Sequence, residues 1–451
     1  MAGLPKKRLR APEESTAMDH AERFRSLRPQ LPGRELHWLE QLRDAAEHRF
    51  ATSGFPSSHL EEWKYTPRAL IERQVFQPAG PDAAPVDAAL VERYRLTDAW
   101  VLVFVDGRFA SDHSWLEGLP EGVAILPLAT ALQACPEQVA ARFQRLAGKQ
   151  DHGLVAFTTA YFRDGVFLRI PAGATLTRPV QLLHLASRAG GLRVLRHLVL
   201  LECHAEARVV ETYAGVEGAE GLTAAITEIE LGENAALEHY KLQVEGPRSY
   251  HFGGIYAELA RSARLRQHQG AFGGLWARTD IHGDLGQGTE CRLDGLFLAT
   301  GQRQLDTHTR IRHTAPYGVT RETYRGIATE RGRGVFTGRI VVEQEAQKTD
   351  AEMNNRNLLL SDGAEIDSRP QLEIHADDVK CSHGVAVGQL DPDAVFYLES
   401  RGIGQDSARQ WLTFAFAKAM LENIDLDELR RQEHAALLTA LPQAESIGEW
   451  P

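Results

Sequence analysis

Hydrophobic and polar positions change rhythm three times along this 451-residue chain. Between residues 18 and 75, Leu36, Trp38, Leu39, Leu42, Ala46 and Phe50 recur near a 3.6-residue period, with Glu, Arg and His between them. This predicts helix. Gly54-Phe55-Pro56 ends it, and a second helical piece is expected around Leu60–Pro67. Residues 78–88 are rich in Pro and Ala and read as a linker. Trp100–Val105 is an unbroken apolar run ending at Asp106-Gly107, the pattern of a buried strand and its turn. A short helix is expected over Pro136–Leu146.

From about 153 to 390 the pattern becomes short β-type runs between small or polar turns: Val194–Leu201, Ala207–Tyr213, Ala225–Leu231, Leu237–Val244, Gly253–Leu259 and Arg339–Glu343. A small residue followed two positions later by an apolar one recurs at Ala207/Val209, Ala235/Leu237, Ala263/Leu265 and Thr289/Cys291, in steps of 28, 28 and 26 residues. A period in the twenties with short strands predicts a β-solenoid. Each coil has too little apolar surface to fold alone, so coils stack in register and their corners admit only small, turn-competent residues. A β-sandwich competes, but it needs hairpins. Only Asp164-Gly165, Asp294-Gly295 and Asp362-Gly363 offer that signal here.

Helical patterning returns at Asp391, a capping residue followed by Pro392 at the first helical position. Gly402 and Gly404 end that helix. Asp406 or Ser407 caps a second, containing Trp411, Phe414, Phe416 and Met420, and Asp425 caps a third. Phe414 and Phe416 lie about 200° apart on a helix, so this helix is buried on two sides or shows one side to a partner. The expected division is a disordered tail (1–17), an N-terminal helical domain (18–95), a mixed α/β lead-in (96–152), a β-helix core (153–390) and a C-terminal helical domain (391–451). The fold class is mainly β.

Composition narrows the function classes. Hydrophobic residues are 43% and charged residues 25%, which excludes a wholly disordered chain. The 50 Lys and Arg against 61 Asp and Glu give a charge of −11, which argues against nucleic-acid binding. No apolar run is long enough for a membrane helix. The basic start Pro5–Arg10 lacks an apolar stretch behind it, which argues against a signal or transit peptide. Four scattered cysteines, Cys135, Cys203, Cys291 and Cys381, fit a reducing, cytoplasmic setting and build no CxxC motif. There is no Walker A loop, no dinucleotide fingerprint, no Gly-x-Ser-x-Gly and no His-Glu-x-x-His.

The densest set of potential ligands lies between Arg369 and Gly384. Leu372, Ile374 and Ala376 place the apolar face on even numbers; Val379, Cys381, His383, Val385 and Val387 place it on odd numbers. The register therefore flips at Asp377-Asp378, where a corner is expected. Beyond it Cys381 and His383 share one face, about 7 Å apart along the strand. A thiolate and an imidazole so placed make at most half a tetrahedral metal site, so any metal there is incomplete, labile or shared with another chain. The plain alternative is a packed Cys381 and a core His383. Cys203 and Cys291 are expected to be buried structural thiols.

Several motifs carry a resemblance. Arg369-Pro-Gln-Leu-Glu-Ile374, Ala376-Asp-Asp-Val-Lys-Cys381-Ser-His383-Gly384, Gly388-Gln-Leu-Asp391 and Phe396–Ile403 resemble the SufB/SufD family of iron–sulfur cluster assembly proteins. So do Gly54-Phe-Pro56, Glu61-Glu62-Trp63-Lys64-Tyr65-Thr66 and Thr323-Tyr-Arg-Gly-Ile327. The scarcity of cysteine matches the SufD side of the family. The resemblance implies a right-handed parallel β-helix between helical domains, and a non-enzymatic scaffold working with a SufB-like subunit and a SufC-like ATPase. It places the first contact along the late β-helix strands. There it implicates His383, with Cys381 beside it, in holding iron or a nascent cluster together with a cysteine of the SufB-like partner. The ATPase would bind the C-terminal helices, through Trp411, Phe414, Phe416 and Met420. No cofactor would be held stably by this chain alone, and a homodimer could form in isolation. One departure is Val385-Ala-Val387, where the family is associated with Ala-Thr-Val; a hydroxyl near the site is lost. The competing function is a polysaccharide-acting β-helix enzyme, which needs paired carboxylates on one solenoid face and secretion; the absent signal-peptide pattern and the motifs over 369–403 argue against it.

Overall fold

The computed structural model describes residues 24–25, 27–66, 69–72, 74, 76–78, 87–150 and 152–441. The expected tail over 1–17, and most of the expected linker over 78–88, lie outside them. Two ten-stranded sheets face one another. From Val180 onward the chain alternates between them, one strand to each per coil. Every neighbour pair from there on is parallel, giving a β-solenoid of about eight turns. The second sheet runs Val180–Ala186, Glu206–Gly215, Ala236–Gln243, Arg264–Ala271, Glu290–Ala299, Val319–Ala328, Asp350–Leu359 and Lys380–Gly388. The first takes the intervening strands, from Gly191–Leu201 to Glu365–Ile374. Earlier strands join them: Trp100–Val105 pairs with Val180–Ala186, and Asp164–Ile170 with Gly191–Leu201. At this start each sheet is closed by a short antiparallel strand, Arg108–Phe109 and Ala124–Pro127.

Register explains the period. Ala207, Leu237, Leu265, Cys291, Thr320, Ala351 and Cys381 are Cα partners in successive coils and line the lumen. The corner before them stacks Ala205, Ala235, Ala263 and Thr289, all fully buried. The first member of the repeat is therefore Ala205/Ala207, two residues before the Ala207/Val209 pair expected from sequence; both pairs satisfy the small-then-apolar rule. Each corner spends one residue in the left-handed region: His204, Asn234, Ser262, Gly288, Tyr317 and Lys348 have φ of 57–66°. The N–H of each donates to the carbonyl just before its counterpart in the next coil, or to Asp378 at the last. The corners thus continue the ladder that satisfies the sheets' backbone groups.

Helices flank this stack. His37–Ser53 buries Leu39, Ala46 and Phe50 against Gly153–Tyr161, every residue of which is buried. Residues 153–161, assigned from sequence to the β-helix core, are therefore helical. At the other end, Asp391 caps Pro392–Ser400 by accepting from the Asp393 N–H at 2.9 Å, as expected. The next helix, Gln405–Leu421, starts earlier than expected, with Gly404 as its cap and Asp406 in its first turn. The third, Asp427–Ala440, begins after Leu426 rather than at an Asp425 cap.

Candidate functional site

The solenoid is closed at its start and open at its finish. Among the described residues, Glu365–Ile374 pairs only with Arg333–Val342, and Lys380–Gly388 only with Asp350–Leu359, so each leaves one strand edge unpaired there. The corner expected at Asp377-Asp378 joins them, fastened by an ion pair between Lys348 and Asp378. Val385 and Val387 are 44% and 45% exposed, and Ile374 at the end of the other strand is 41% exposed. Exposed β-branched side chains beside unpaired backbone form a template for another strand.

Cys381 and His383 sit on this last strand, opposite Ala351 and Met353. Cys381 is half-buried and packs against the lumen core. That burial raises its thiol pKa, against a backbone hydrogen bond at Ala351 that lowers it, so the sulfur is a protonated thiol until something displaces the proton. His383 is exposed. The pair therefore presents one half-buried and one exposed donor on the same face of the last strand. Among the described residues no three His, Cys, Asp or Glu side chains are grouped to hold a metal. His375 lies near by in sequence but is engaged by Glu373 at 3.1 Å. The other thiols divide against expectation. Cys291 is buried, its pKa raised by burial above the usual thiol range, whereas Cys203 is exposed because its strand ends at Leu201 and it occupies the corner.

The C-terminal helices are bolted to the outer face of the second sheet. Arg266 pairs with Asp425, and buried His268 lies 3.1 Å from buried Glu433. Gly270 leaves room beneath them: a Cβ there would sit 2.6 Å from the Glu433 carboxyl carbon and push that carboxylate aside. Phe414 and Met420, 4% and 1% exposed, belong to the core between helix and sheet. Trp411 and Phe416 are half-buried, and Arg325 lies 4.9 Å over the Phe416 ring. The aromatics that face outward are Phe396 and Tyr397 on helix Pro392–Ser400, 69% and 56% exposed. Sequence reading missed them. The signal was present: with Val395 turned inward, the next two residues lie about 100° and 200° around the helix.

The Glu61–Thr66 motif proves to be a pin. Trp63 is buried with the Arg278 guanidinium 3.8 Å from its ring centre. Arg278 also donates to the Glu62 carbonyl at 2.9 Å, to Asp280 at 2.8 Å and to Asp306 at 2.7 Å, while the Thr66 hydroxyl donates to Asp306. Against the burial that would raise it, the Arg278 charge holds the Asp280 carboxyl far below its ordinary pKa. Arg369 reaches Glu61 at 2.9 Å, so this pin touches the open-end strand that carries the other family motif.

A groove along the first sheet contains a row of carboxylates, Glu202, Glu230, Glu258 and Asp284. Each is matched to a cation: Arg169 at 2.6 Å, Arg145 at 2.8 and 2.5 Å, and Lys149 at 2.6 Å. A glycosidase needs one carboxyl free to protonate and another free to attack. This row supplies neither. No helix among the described residues is long and apolar enough to cross a membrane.

Comparison with known proteins agrees with this architecture. Residues 14–182 match the SufBD protein N-terminal region, and residues 184–416 match the SUF system FeS cluster assembly SufBD core domain. The iron–sulfur cluster assembly protein SufD of Escherichia coli is 34% identical over 398 residues, covering 86% of this chain and 90% of that protein. An iron–sulfur cluster assembly SufBD family protein of Synechocystis is 30% identical over 416 residues, 89% of this chain and 90% of its own length. A chloroplastic protein of Arabidopsis thaliana is 27% identical over 407 residues, 87% and 84% of the two chains. With both family regions matched end to end along a solenoid whose last strand carries the Cys381–His383 pair, this chain belongs to the SufB/SufD family of iron–sulfur cluster assembly proteins.

Proposed function

We propose that the chain is a non-catalytic scaffold subunit that completes its metal-handling site only by pairing with a SufB-like subunit. The observation that carries this reading is the open solenoid end: among the described residues, an unpaired strand edge bearing two donor atoms, Cys381 Sγ and an His383 ring nitrogen, and no third. Two donors hold iron or a nascent cluster weakly, and a partner strand laid along the same edge would bring further thiolates within reach. The iron and sulfide are cargo of the assembly. A homodimer through the same edge is the alternative occupancy when the partner is absent.

A SufC-like ATPase would dock on the C-terminal helical region. Exposed Phe396 and Tyr397 on one helix, and half-buried Trp411 and Phe416 on the next, offer the aromatic anchors such an interface uses. Phe414 and Met420 would act by holding Gln405–Leu421 to the sheet. Motion imposed on these helices would reach the solenoid through Arg266–Asp425 and His268–Glu433. The paired state of the groove carboxylates and the family membership together count against the polysaccharide-acting alternative.

The test is co-expression with candidate SufB-like and SufC-like partners, co-purification, and measurement of bound iron and acid-labile sulfide. A stable complex whose iron depends on His383 supports the reading. Iron bound equally by the isolated chain, or no association with either partner, refutes it.

A further inference from the structure

The two sheets are fastened across the lumen by side-chain hydrogen bonds as well as by apolar packing. Lys241 donates to the Thr279 hydroxyl at 3.0 Å, Gln269 donates to that of Thr307 at 3.3 Å, and the Thr309 hydroxyl donates to Glu322 at 2.7 Å. Each bond joins a strand of one sheet to a strand of the other. Among the described residues, the last such rung before the open end joins Ser368 to Asn355, the Ser368 hydroxyl donating to Asn355 Oδ1 at 2.7 Å.

Asn355 is the hub of this rung, and it is fully buried. Its amide nitrogen donates to the Tyr324 carbonyl in the coil below at 3.2 Å. Its Oδ1 also accepts from the Asn357 amide at 2.5 Å. The motif at 323–327 makes the room: Gly326 is the Cα partner of Asn357, and a Cβ there would lie 2.5 Å from Asn357 Oδ1. A hydrogen-bonded polar group in a core adds little net stability over apolar packing. What it adds is one defined geometry, because any other arrangement leaves buried polar atoms unpaired.

The place of the rung gives that geometry a use. The two open strands, Glu365–Ile374 and Lys380–Gly388, are joined covalently at one end only, by the corner 375–379. At the other end they separate: Glu365 arrives from the coil below, and Gly388 leads off to the helix Pro392–Ser400. Ser368 lies toward that far end, and so does Val385, the Cα partner of Asn355. Backbone fixes the separation of the two strands near Cys381, and the Ser368–Asn355 bond fixes it where the backbone does not.

We propose that Ser368 and Asn355 are positioning residues for the SufB-like partner, holding residues 385–388 where a partner strand can pair along the whole edge. This rests on the reading that the partner pairs along Lys380–Gly388. Three variants of the full chain test it. Ser368→Ala removes the rung, Ser368→Thr keeps its hydroxyl, and Thr307→Val removes a rung hydroxyl two coils deeper as the control for lost stability. In the isolated chain, hydrogen exchange at the Ala386 and Gly388 amides should quicken about fivefold or more in Ser368→Ala and keep the parental rate in the other two. Affinity for a purified SufB-like subunit, measured well below every melting transition, should fall about fivefold or more in Ser368→Ala alone. Unchanged exchange in Ser368→Ala, undiminished affinity, or an equal loss of affinity in Thr307→Val would each overturn the positioning role. Quickened exchange in a chain whose parent does not bind the SufB-like subunit at all would refute the partner reading, and the positioning role with it.

Discussion

Glu322 offers a sharp test of the lumen's electrostatics. It lies inside the solenoid in the column Leu293, Glu322, Met353, His383, two coils below the open end, and is 1% exposed. One carboxyl oxygen accepts from the Thr309 hydroxyl at 2.7 Å, and the other has no partner. Burial raises its pKa from the ordinary 4.5 to about 7, only partly opposed by Thr309. A carboxyl whose pKa is higher in the folded state stabilises the fold below its unfolded pKa, and that contribution is lost as pH rises through the folded value. At about 1.4 kcal/mol per unit, ionised Glu322 costs about 3 kcal/mol once the pH is above both values. Gln has nearly the shape of the neutral acid and does not titrate. Urea denaturation of wild type and Glu322→Gln, compared at about pH 5 and about pH 8, should therefore show the variant gaining about 2.5 kcal/mol over wild type between the two. The other titrating groups are common to both proteins and cancel. Parallel stability–pH profiles would mean that Glu322 is already ionised, or solvated, in the folded lumen.

Four other variants test the same reading. His383→Ala should leave folding and complex formation unchanged while lowering cluster assembly in cells, and wild-type cluster yield would remove the ligand role. The double change Phe396→Ala, Tyr397→Ala should reduce ATPase co-purification with an unaltered melting curve. Phe414→Ala should instead cost about 3–5 kcal/mol of stability, so the two variants separate docking from packing by thermal melting alone. Arg278→Ala leaves buried Asp280 and Asp306 facing each other and should cost about 3–5 kcal/mol. It should also expose Glu61–Thr66 to limited proteolysis, and unchanged protection there would mean that Trp63 alone holds the pin.

The solenoid was legible because stacking forces a period onto the corners. Ala235, Ala263 and Thr289 are small for one shared reason, the closeness of consecutive coils. The first coil was misread because Ala205 and Ala207 are both small, and spacing alone cannot choose between them. Pairing was the illegible part. The partners of Arg278 lie on its own strand at Asp280, on the next coil at Asp306, and more than 200 residues away at Glu62 and Thr66, and no local pattern encodes that. The same limit applied to Gln405–Leu421: two apolar sides were visible, but only the position of the second sheet decides that Phe414 faces inward. Cys381 and His383 were placed correctly on one strand face by alternation. That their strand is the last of its sheet depends on where the stacking stops.

The two open edges are not equivalent, and the difference points to where a partner strand is directed. In a parallel strand the N–H and C=O of alternate residues face the same neighbour. In Glu365–Ile374 the odd residues bond inward, as the Glu365 N–H to the Gly332 carbonyl and the His375 N–H to the Val342 carbonyl show. Pro370 therefore sits with its missing N–H on the open side, a position that weakens pairing there without breaking the sheet. In Lys380–Gly388 it is the even residues that bond inward, beginning with the Lys380 N–H to the Thr349 carbonyl. Cys381, His383, Val385 and Val387 then turn their backbone groups outward, and this strand contains no proline. The edge left available is the one that carries the candidate ligands. Val385→Pro would transplant the Pro370 device to it, removing one outward N–H and leaving the inward ladder whole. Because Val385 is exposed and its N–H finds no partner among the described residues, folding should change by no more than about 1 kcal/mol. Pairing with a SufB-like subunit, followed by co-purification or size-exclusion chromatography, should fall sharply. A heterodimer formed as readily by the folded Val385→Pro chain would place the partner on the Glu365–Ile374 edge or on side-chain contacts alone.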